Sequence, residues 1–305
     1  MAILNIAGLD CYVEGNVLNL PFFQNYQEFL TKKELFGNCS FCLTYARLAE
    51  VRGKLIAGYT NERGEYMIYW SGVFYYVECR IAGLQRNYRM RADEFWYLID
   101  VDMPLNDEYD WGVMDDFLML AFTYSSSFRG RVLLHASCIN YKGEQGVAFI
   151  GPSGIGKSTQ ARLWLENIPG CSLLNDDQPA LGLIDGIPYL FGTPWSGKTP
   201  CYKNERVRAN TFFLMKQADH NRVEEVLPIT LFRHLLGSCS MMKTDSQTLF
   251  EITQVLAAVV DRVKAAWLEN KPEREAVEMA YEYSIGNIKM SSKGGGVKYE
   301  EKESI

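Results

Sequence analysis

No window of the 305-residue chain approaches an apolar run long enough to cross a membrane. Lys and Arg are scattered, with no basic run that would track a phosphate backbone, and the net charge of −6 gives nucleic acid no global attraction. Histidine is scarce at three residues, and only His135 has a context that points to a site; His220 and His234 have none. The eight cysteines (Cys11, Cys39, Cys42, Cys79, Cys138, Cys171, Cys201, Cys239) are dispersed, unlike the dense framework of a small secreted domain. The first ten residues lack a positive n-region and carry Asn5 and Asp10 inside their apolar stretch, so they do not read as a signal peptide. A reducing cytoplasm is the simplest expectation for this chain, with neither membrane nor nucleic acid as partner. No internal repeat of fixed period is visible.

What is present suits a globular fold. Hydrophobic residues make up 48% and charged residues 22%, enough apolar material for a sizeable core in one large or two ordinary domains. Residues 1–128 read as an N-terminal α+β domain whose role the sequence does not give. Pro21 to about Leu35 has helical spacing of Phe22, Phe23, Tyr26, Phe29 and Leu30. Leu55–Tyr59, Tyr66–Trp70 and Val73–Cys79 read as strands joined at Asn61–Gly64 and Ser71-Gly72. Gly112 to about Tyr124 reads as an apolar helix closing the unit. Residues 129–288 read as a nucleotide-binding domain. It has strands at Val132–Asn140, Val147–Ile150 and Cys171–Leu174, and a helix at Lys157–Asn167 stopped by Pro169-Gly170. Strand-like pieces continue to about Met215. Helices follow at Ile229–Leu236, from about Thr248 to Leu268, and at Glu273–Tyr283. Residues 289–305 are too poor in apolar content to fold alone and are expected to form a flexible tail.

The chemistry concentrates at Gly151-Pro-Ser-Gly-Ile-Gly-Lys-Ser158, which fits Gly-four-residues-Gly-Lys-Ser/Thr between a strand and a helix. Gly151, Ser153, Gly154, Ile155 and Gly156 let successive backbone N–H groups curl round a phosphate, and the helix N-terminus adds its positive end. Lys157 can reach the β- and γ-phosphates, Ser158 can ligate Mg²⁺, and Thr159 is placed toward the α-phosphate. The plain alternative is a chance match on an ordinary strand–turn–helix. Gly192-Thr-Pro-Trp-Ser-Gly-Lys-Thr199 satisfies the same literal pattern. Pro194 and Pro200 bar a helix from starting there, so it is not a second nucleotide loop. It reads either as a plain proline loop or as a substrate loop offering Trp195 and Lys198.

About 20 residues past Lys157, an apolar strand ends in Asp176-Asp177. Neighbouring acids at a strand end diverge, so one can hold Mg²⁺ while the other accepts a proton from an attacking hydroxyl. The competing reading is a solvated turn. His135, one strand before the loop, reads either as a hydrogen-bonded core histidine or as a metal or phosphate contact. Cys39-Ser-Phe-Cys42 has metal-ligand spacing without a second pair, which favours unlinked, buried thiols.

His135-Ala-Ser, Lys142-Gly-Glu-Gln-Gly, Val147-Ala-Phe-Ile-Gly-Pro-Ser-Gly-Ile-Gly-Lys-Ser-Thr159 and Leu174-Asn-Asp-Asp177, in that order, resemble the active-site core of HPr kinase/phosphorylase. They are similar, more distantly, to ATP-dependent phosphoenolpyruvate carboxykinase. The resemblance covers about 45 residues. It implies a phosphate-loop core with a mixed β-sheet and C-terminal helices, using ATP and Mg²⁺. It implies that Lys157 and the loop amides hold phosphates, Ser158 and Asp177 serve the magnesium, Asp176 is the base, and His135 lies near metal or phosphate. The later signature for protein binding and phosphorolysis in HPr kinase/phosphorylase is not found, nor are the carboxykinase arginines. The expected activity is γ-phosphoryl transfer to a hydroxyl, Ser of a protein or peptide. The alternatives are a small-molecule kinase or NTPase with an all-parallel core, and a non-catalytic nucleotide-binding module that recognises a peptide. The sequence leaves open whether the chain forms a homo-oligomer.

Overall fold

Alternation of inward and outward residues, as in Tyr75, Val77 and Cys79 buried against Phe74, Tyr76 and Glu78 on the other face, gives the first half its strands. The computed structural model describes residues 2–14, 19–32, 39–50, 53–240 and 245–286. The first sheet comprises β1 (Ala2–Ile6), β2 (Leu9–Val13), β3 (Leu30–Thr31), β4 (Cys39–Tyr45), β5 (Lys54–Thr60), β6 (Glu65–Trp70), β7 (Phe74–Arg80), β8 (Tyr88–Asp93) and β9 (Leu98–Asp102). Their order is β3-β1-β2-β4-β9-β8-β7-β6-β5. Only β2–β4 and β4–β9 pair parallel.

Helix α1 (Glu108–Ser127) starts at Asp107, whose carboxylate accepts from the Asp110 N–H. It packs against β4 on one side and, on the other, against β10 (Arg131–Leu133), the first strand of the second sheet. That placement explains why it is buried on most sides, with Asp110, Asp116 and Ser125–Ser127 among its buried residues. Its Phe117 and Phe122 share one buried cluster with Trp96 of the first sheet and with Leu133, Phe191 and Trp195 from the second half.

The second sheet continues with β11 (Ala136–Tyr141), β12 (Gln145–Ile150), β13 (Cys171–Asp177), β14 (Ala180–Ile184), β15 (Ile187–Phe191), β16 (Arg206–Gln217), β17 (Arg222–Glu225) and β18 (Lys264–Asn270). Its order is β10-β14-β15-β16-β12-β11-β13, with β18 joining β16 and β17. Pairing is parallel at β12–β16 and β16–β18 and antiparallel elsewhere, so the sheet is mixed. Helices α2 (Lys157–Asn167) and α5 (Arg274–Ser284) cover the face carrying Ile139, Phe149 and Phe213. Helices α3 (Pro228–Ser238) and α4 (Ser246–Val260) cover the face carrying Ile150, Phe212 and Leu214. The protein is thus a mixed α/β fold with two large mixed sheets. No described helix is long and apolar enough to cross a membrane.

Three segments differ from expectation. Pro21–Phe29 is a 3₁₀ helix that passes directly into β3, so the apolar spacing there serves a tight connection; residues 33–35 lie outside the described set. The stretch expected as one strand from Val132 to Asn140 is split. Leu133 pairs with Ala180 while Ala136 pairs with both Ile150 and Asp177, which leaves His135 at the crossing between partners. The helix expected to run to Leu268 ends at Val260. Lys264–Asn270 instead becomes a parallel strand beside β16, because its apolar residues fill a slot inside the sheet. The tail expected at 289–305 lies outside the described residues.

Candidate nucleotide site

The loop after β12 is set by its neighbours in the sheet. β11 and β12 form a tight hairpin in which Lys142 and Gly143 both have positive φ and the Glu144 N–H donates to the Tyr141 carbonyl. β12 then delivers Gly151 at the sheet edge, and α2 begins at Lys157. Gly154 (φ 78°) and Gly156 (φ 109°) occupy left-handed backbone, which any side chain would strain. The Gln217 amide donates to the Gly154 carbonyl at 3.4 Å, tying the loop to the end of β16. The arrangement places the glycine loop and the N-terminus of α2 at one space, with the Ile155 N–H donated within the loop to the Pro152 carbonyl at 3.3 Å.

The cleft at this end of the sheet has a volume of about 340 Å³. Ser153, Gly154, Gly156, Lys157, Ser158 and Thr159 line it from one side. His135, Asp176, Asp177, Gly197 and Lys198 close it from the other. Gly151 and Ile155 sit behind the lining; the Ile155 side chain packs under Gly151. A second hollow of about 220 Å³ continues past Ser158, Thr159 and Asp176 to Arg162, Leu165 and Thr199.

Lys157 donates to the carbonyls of Gly151 at 2.9 Å and Pro152 at 3.2 Å, and to His135 Nε2 at 2.9 Å. An ammonium only donates, so Nε2 accepts and the imidazole proton sits on Nδ1, 2.9 Å from Asp177 Oδ1. Lysine, histidine and aspartate therefore form one chain across the cleft. Burial holds the Lys157 ammonium below its ordinary pKa, while the Asp177 and Asp176 carboxylates push it back up.

The two acids diverge as neighbours on a strand must. Asp177 is part-exposed and meets His135. Asp176 is 5% exposed, and its Oδ1 has no hydrogen-bond partner among the described residues. A buried carboxylate oxygen left without a donor costs about 1–3 kcal/mol. Ser137, its partner across β11–β13, has an equally unpartnered Oγ, and so does the buried Gln160 side chain on the first turns of α2. Ser137 ends the His135-Ala-Ser run without a role of its own in the sequence reading, and Gln160 carries no motif.

The Gly192–Thr199 loop has no helix, as its prolines require, and pairs with the acid strand instead. Ser196 bridges to Asp177, and the Gly197 N–H donates to the Asp176 carbonyl at 3.2 Å. Asn175, fully buried, holds both pieces. Its amide donates to the carbonyls of Trp195 and Thr193 and to Thr193 Oγ1, and its oxygen accepts from the N–H groups of Asp177 and Gln178. Lys198 lines the cleft. Trp195 does not: at 5% exposure it points into the shared core beside Phe122 and donates its indole N–H to Tyr26 at 2.9 Å. Its size and apolarity favour the core, so it anchors the loop and lines neither of these hollows.

Cys39 and Cys42 are free and half-buried on β4, far from this chemistry in the fold. Among the described residues no group of three or more His, Cys, Asp or Glu side chains converges on a metal position. Magnesium suits such a site nonetheless, since it keeps waters and needs only one or two carboxylates beside phosphate oxygens. Ser158 and Asp177 are the residues able to supply that share. The left-handed glycines and the lysine fit a magnesium-bound polyphosphate. No family model matches the chain, and no curated protein matches it.

Proposed function

We infer that the protein binds ATP with magnesium between the Gly151–Ser158 loop and Asp176-Asp177, and transfers the γ-phosphoryl group to a hydroxyl, with Ser of a protein or peptide as the acceptor class. The observation that carries this reading is Asp176: a buried carboxylate with an unpartnered oxygen, lining the same cleft as Lys157 and the glycine loop. Such a group is costly to keep in a fold, and a carboxylate in the cleft wall can accept a proton. Lys157 would exchange its loop carbonyls for phosphate oxygens, and Ser158 with Asp177 would hold the cation. Asp176 accepts the hydroxyl proton as that oxygen bonds to phosphorus and the bond to the departing diphosphate breaks. His135 keeps Lys157 and Asp177 in register.

Two observations favour this over the alternatives. A hairpin precedes the loop and the sheet is mixed, whereas a small-molecule kinase of the ordinary type has a strand–helix crossover and parallel strands. The complete set of Lys157, Ser158, Asp176 and Asp177 around one cleft speaks against a module that only binds. The experiment is incubation with γ-labelled ATP, magnesium and the proteins encoded beside this one, with mass spectrometry of labelled products. Label should appear on a hydroxyl, and Lys157→Ala should lower transfer at least 1000-fold, about 4 kcal/mol of transition-state stabilisation. Near-normal transfer by that variant would overturn the assignment.

A further inference from the structure

A larger cavity, about 650 Å³, opens at the other end of β12, where Gln145 begins the strand that ends at the nucleotide loop. Six strand residues separate the two ends, roughly 17 Å at about 3.3 Å per residue, so an occupant of one does not touch the other. Arg206, Arg208 and Arg262 line the cavity with Gln145, Tyr189 and Asn210. Arg206 and Arg208 are two apart on β16 and project from one face, with Arg208 opposite both Tyr189 and Gln145. The Arg206 guanidinium lies 5.3 Å from the Tyr189 ring centre. Arg262 reaches back to the Ala258 carbonyl.

Elsewhere in the fold arginines find acids: Arg63 pairs with Asp116, Arg86 with Asp110 and Arg91 with Asp100. Among the described residues none of Arg206, Arg208 and Arg262 has a carboxylate within ion-pair distance, and Glu144 is the one acid on the lining. A fourth cation adds to the excess. Arg131 lies over Phe191 and is held by the carbonyls of Ala7, Gly130 and Leu183; burial, then the charge of Arg206, depresses its pKa. Converging like charges on an acidic protein repel one another unless an anion joins them. Ile187 and Pro188 give the same cavity an apolar wall, and Ile187 is exposed.

We propose that this cavity is a second binding site, taking a phosphorylated small molecule whose phosphate is held by Arg206, Arg208 and Arg262 and whose body lies on Ile187, Pro188 and Tyr189. Guanidiniums suit this task because their planar forks meet phosphate oxygens two at a time. The site is independent of the nucleotide cleft, and the test keeps them apart.

Inorganic pyrophosphate is the probe, used on the full chain carrying Lys157→Ala to weaken the nucleotide cleft. Phenylglyoxal modification read peptide by peptide should show Arg206, Arg208 and Arg262 protected at least fivefold by millimolar pyrophosphate, while exposed Arg80 and Arg222 react unchanged. Calorimetry should show saturable binding, weakened at least tenfold when Arg206→Gln and Arg208→Gln are added; both side chains are exposed, and melting curves confirm folding. Equal modification with and without pyrophosphate, or uniform protection of every exposed arginine, overturns the site. So does binding that survives the double substitution. A nucleic acid or acidic peptide that protects the three arginines where pyrophosphate does not would equally overturn the small-molecule assignment.

Discussion

Replacing Asp176 by Asn should make the protein more stable and nearly inactive at once. Asn keeps the shape but removes a charge buried to 5% exposure, one of whose oxygens no described group satisfies. Relieving a penalty of about 1–3 kcal/mol, less what the new amide leaves unsatisfied, gives a gain of about 1–2 kcal/mol. For a chain of this length that is a rise in melting temperature of roughly 2–3 °C. Losing a general base costs about 100- to 10,000-fold in turnover, equivalent to about 3–5 kcal/mol. Affinity for Mg-ATP should stay within about threefold of the parent, since Lys157, Ser158 and Asp177 remain. Calorimetric melts, equilibrium nucleotide binding and release of labelled phosphate, all on one preparation, provide the readouts. Turnover within threefold of the parent, or a lower melting temperature, would refute the reasoning. An equal fall in affinity and turnover would move Asp176 to the metal.

Other consequences follow from the loop and its anchor. A Cβ at Gly197 would sit 2.8 Å from the Asp176 carbonyl, so Gly197→Ala should push the loop off the acid strand and cut turnover about 10- to 100-fold. Gly237→Ala, in α3 with open space around it, should leave turnover unchanged, and equal effects of the two in the same assay would discount the contact. Tyr26 donates to Asp115 at 2.5 Å and accepts from Trp195, so Tyr26→Phe should loosen the loop. It should raise KM more than it lowers kcat, and unchanged kinetics would sever the link. Burial chiefly, with help from Asp116, raises the Asp115 carboxyl to about 6 against the Tyr26 hydrogen bond. A raised carboxyl favours the folded state below its unfolded pKa of about 4 and loses that contribution as pH rises through about 6. The stability gap between parent and Asp115→Asn should therefore change across pH 4–6 and stay flat above pH 7. A gap constant over that window would place Asp115 outside this role.

Much of the second half was legible because local chemistry and tertiary need agree there. Lys157–Asn167 is helical where the glycine loop, the apolar spacing and the Pro169-Gly170 stop all point. The acids sit at the end of β13, where an apolar run ending in Asp-Asp put them. His135 was visible only as a neighbour of the loop. Its contact with both Lys157 and Asp177 depends on the break between β10 and β11, which no local pattern announces. Trp195 reads in sequence as part of either a plain proline loop or a substrate loop, yet its ring belongs to a core completed by Phe122 and Tyr26, distant in sequence. Lys264–Asn270 shows the same limit. The run of apolar residues continues the helical period of α4, and only the open edge of β16 decides for a strand. Asn175 and Ser137 fall within the runs that carry the resemblance, and Gln160 in none; the role of each shows only in the fold, where its partners, or its lack of them among the described residues, can be seen.

The most direct measurement is a crystal structure with magnesium and a non-hydrolysable ATP analogue. Phosphates should be wrapped by the Gly151–Ser158 amides, with Lys157 Nζ on the β- and γ-phosphates and a cation shared by Ser158 and Asp177, Asp176 facing the γ-phosphate. Nucleotide bound elsewhere, or a cation that neither Ser158 nor Asp177 reaches, would contradict that arrangement.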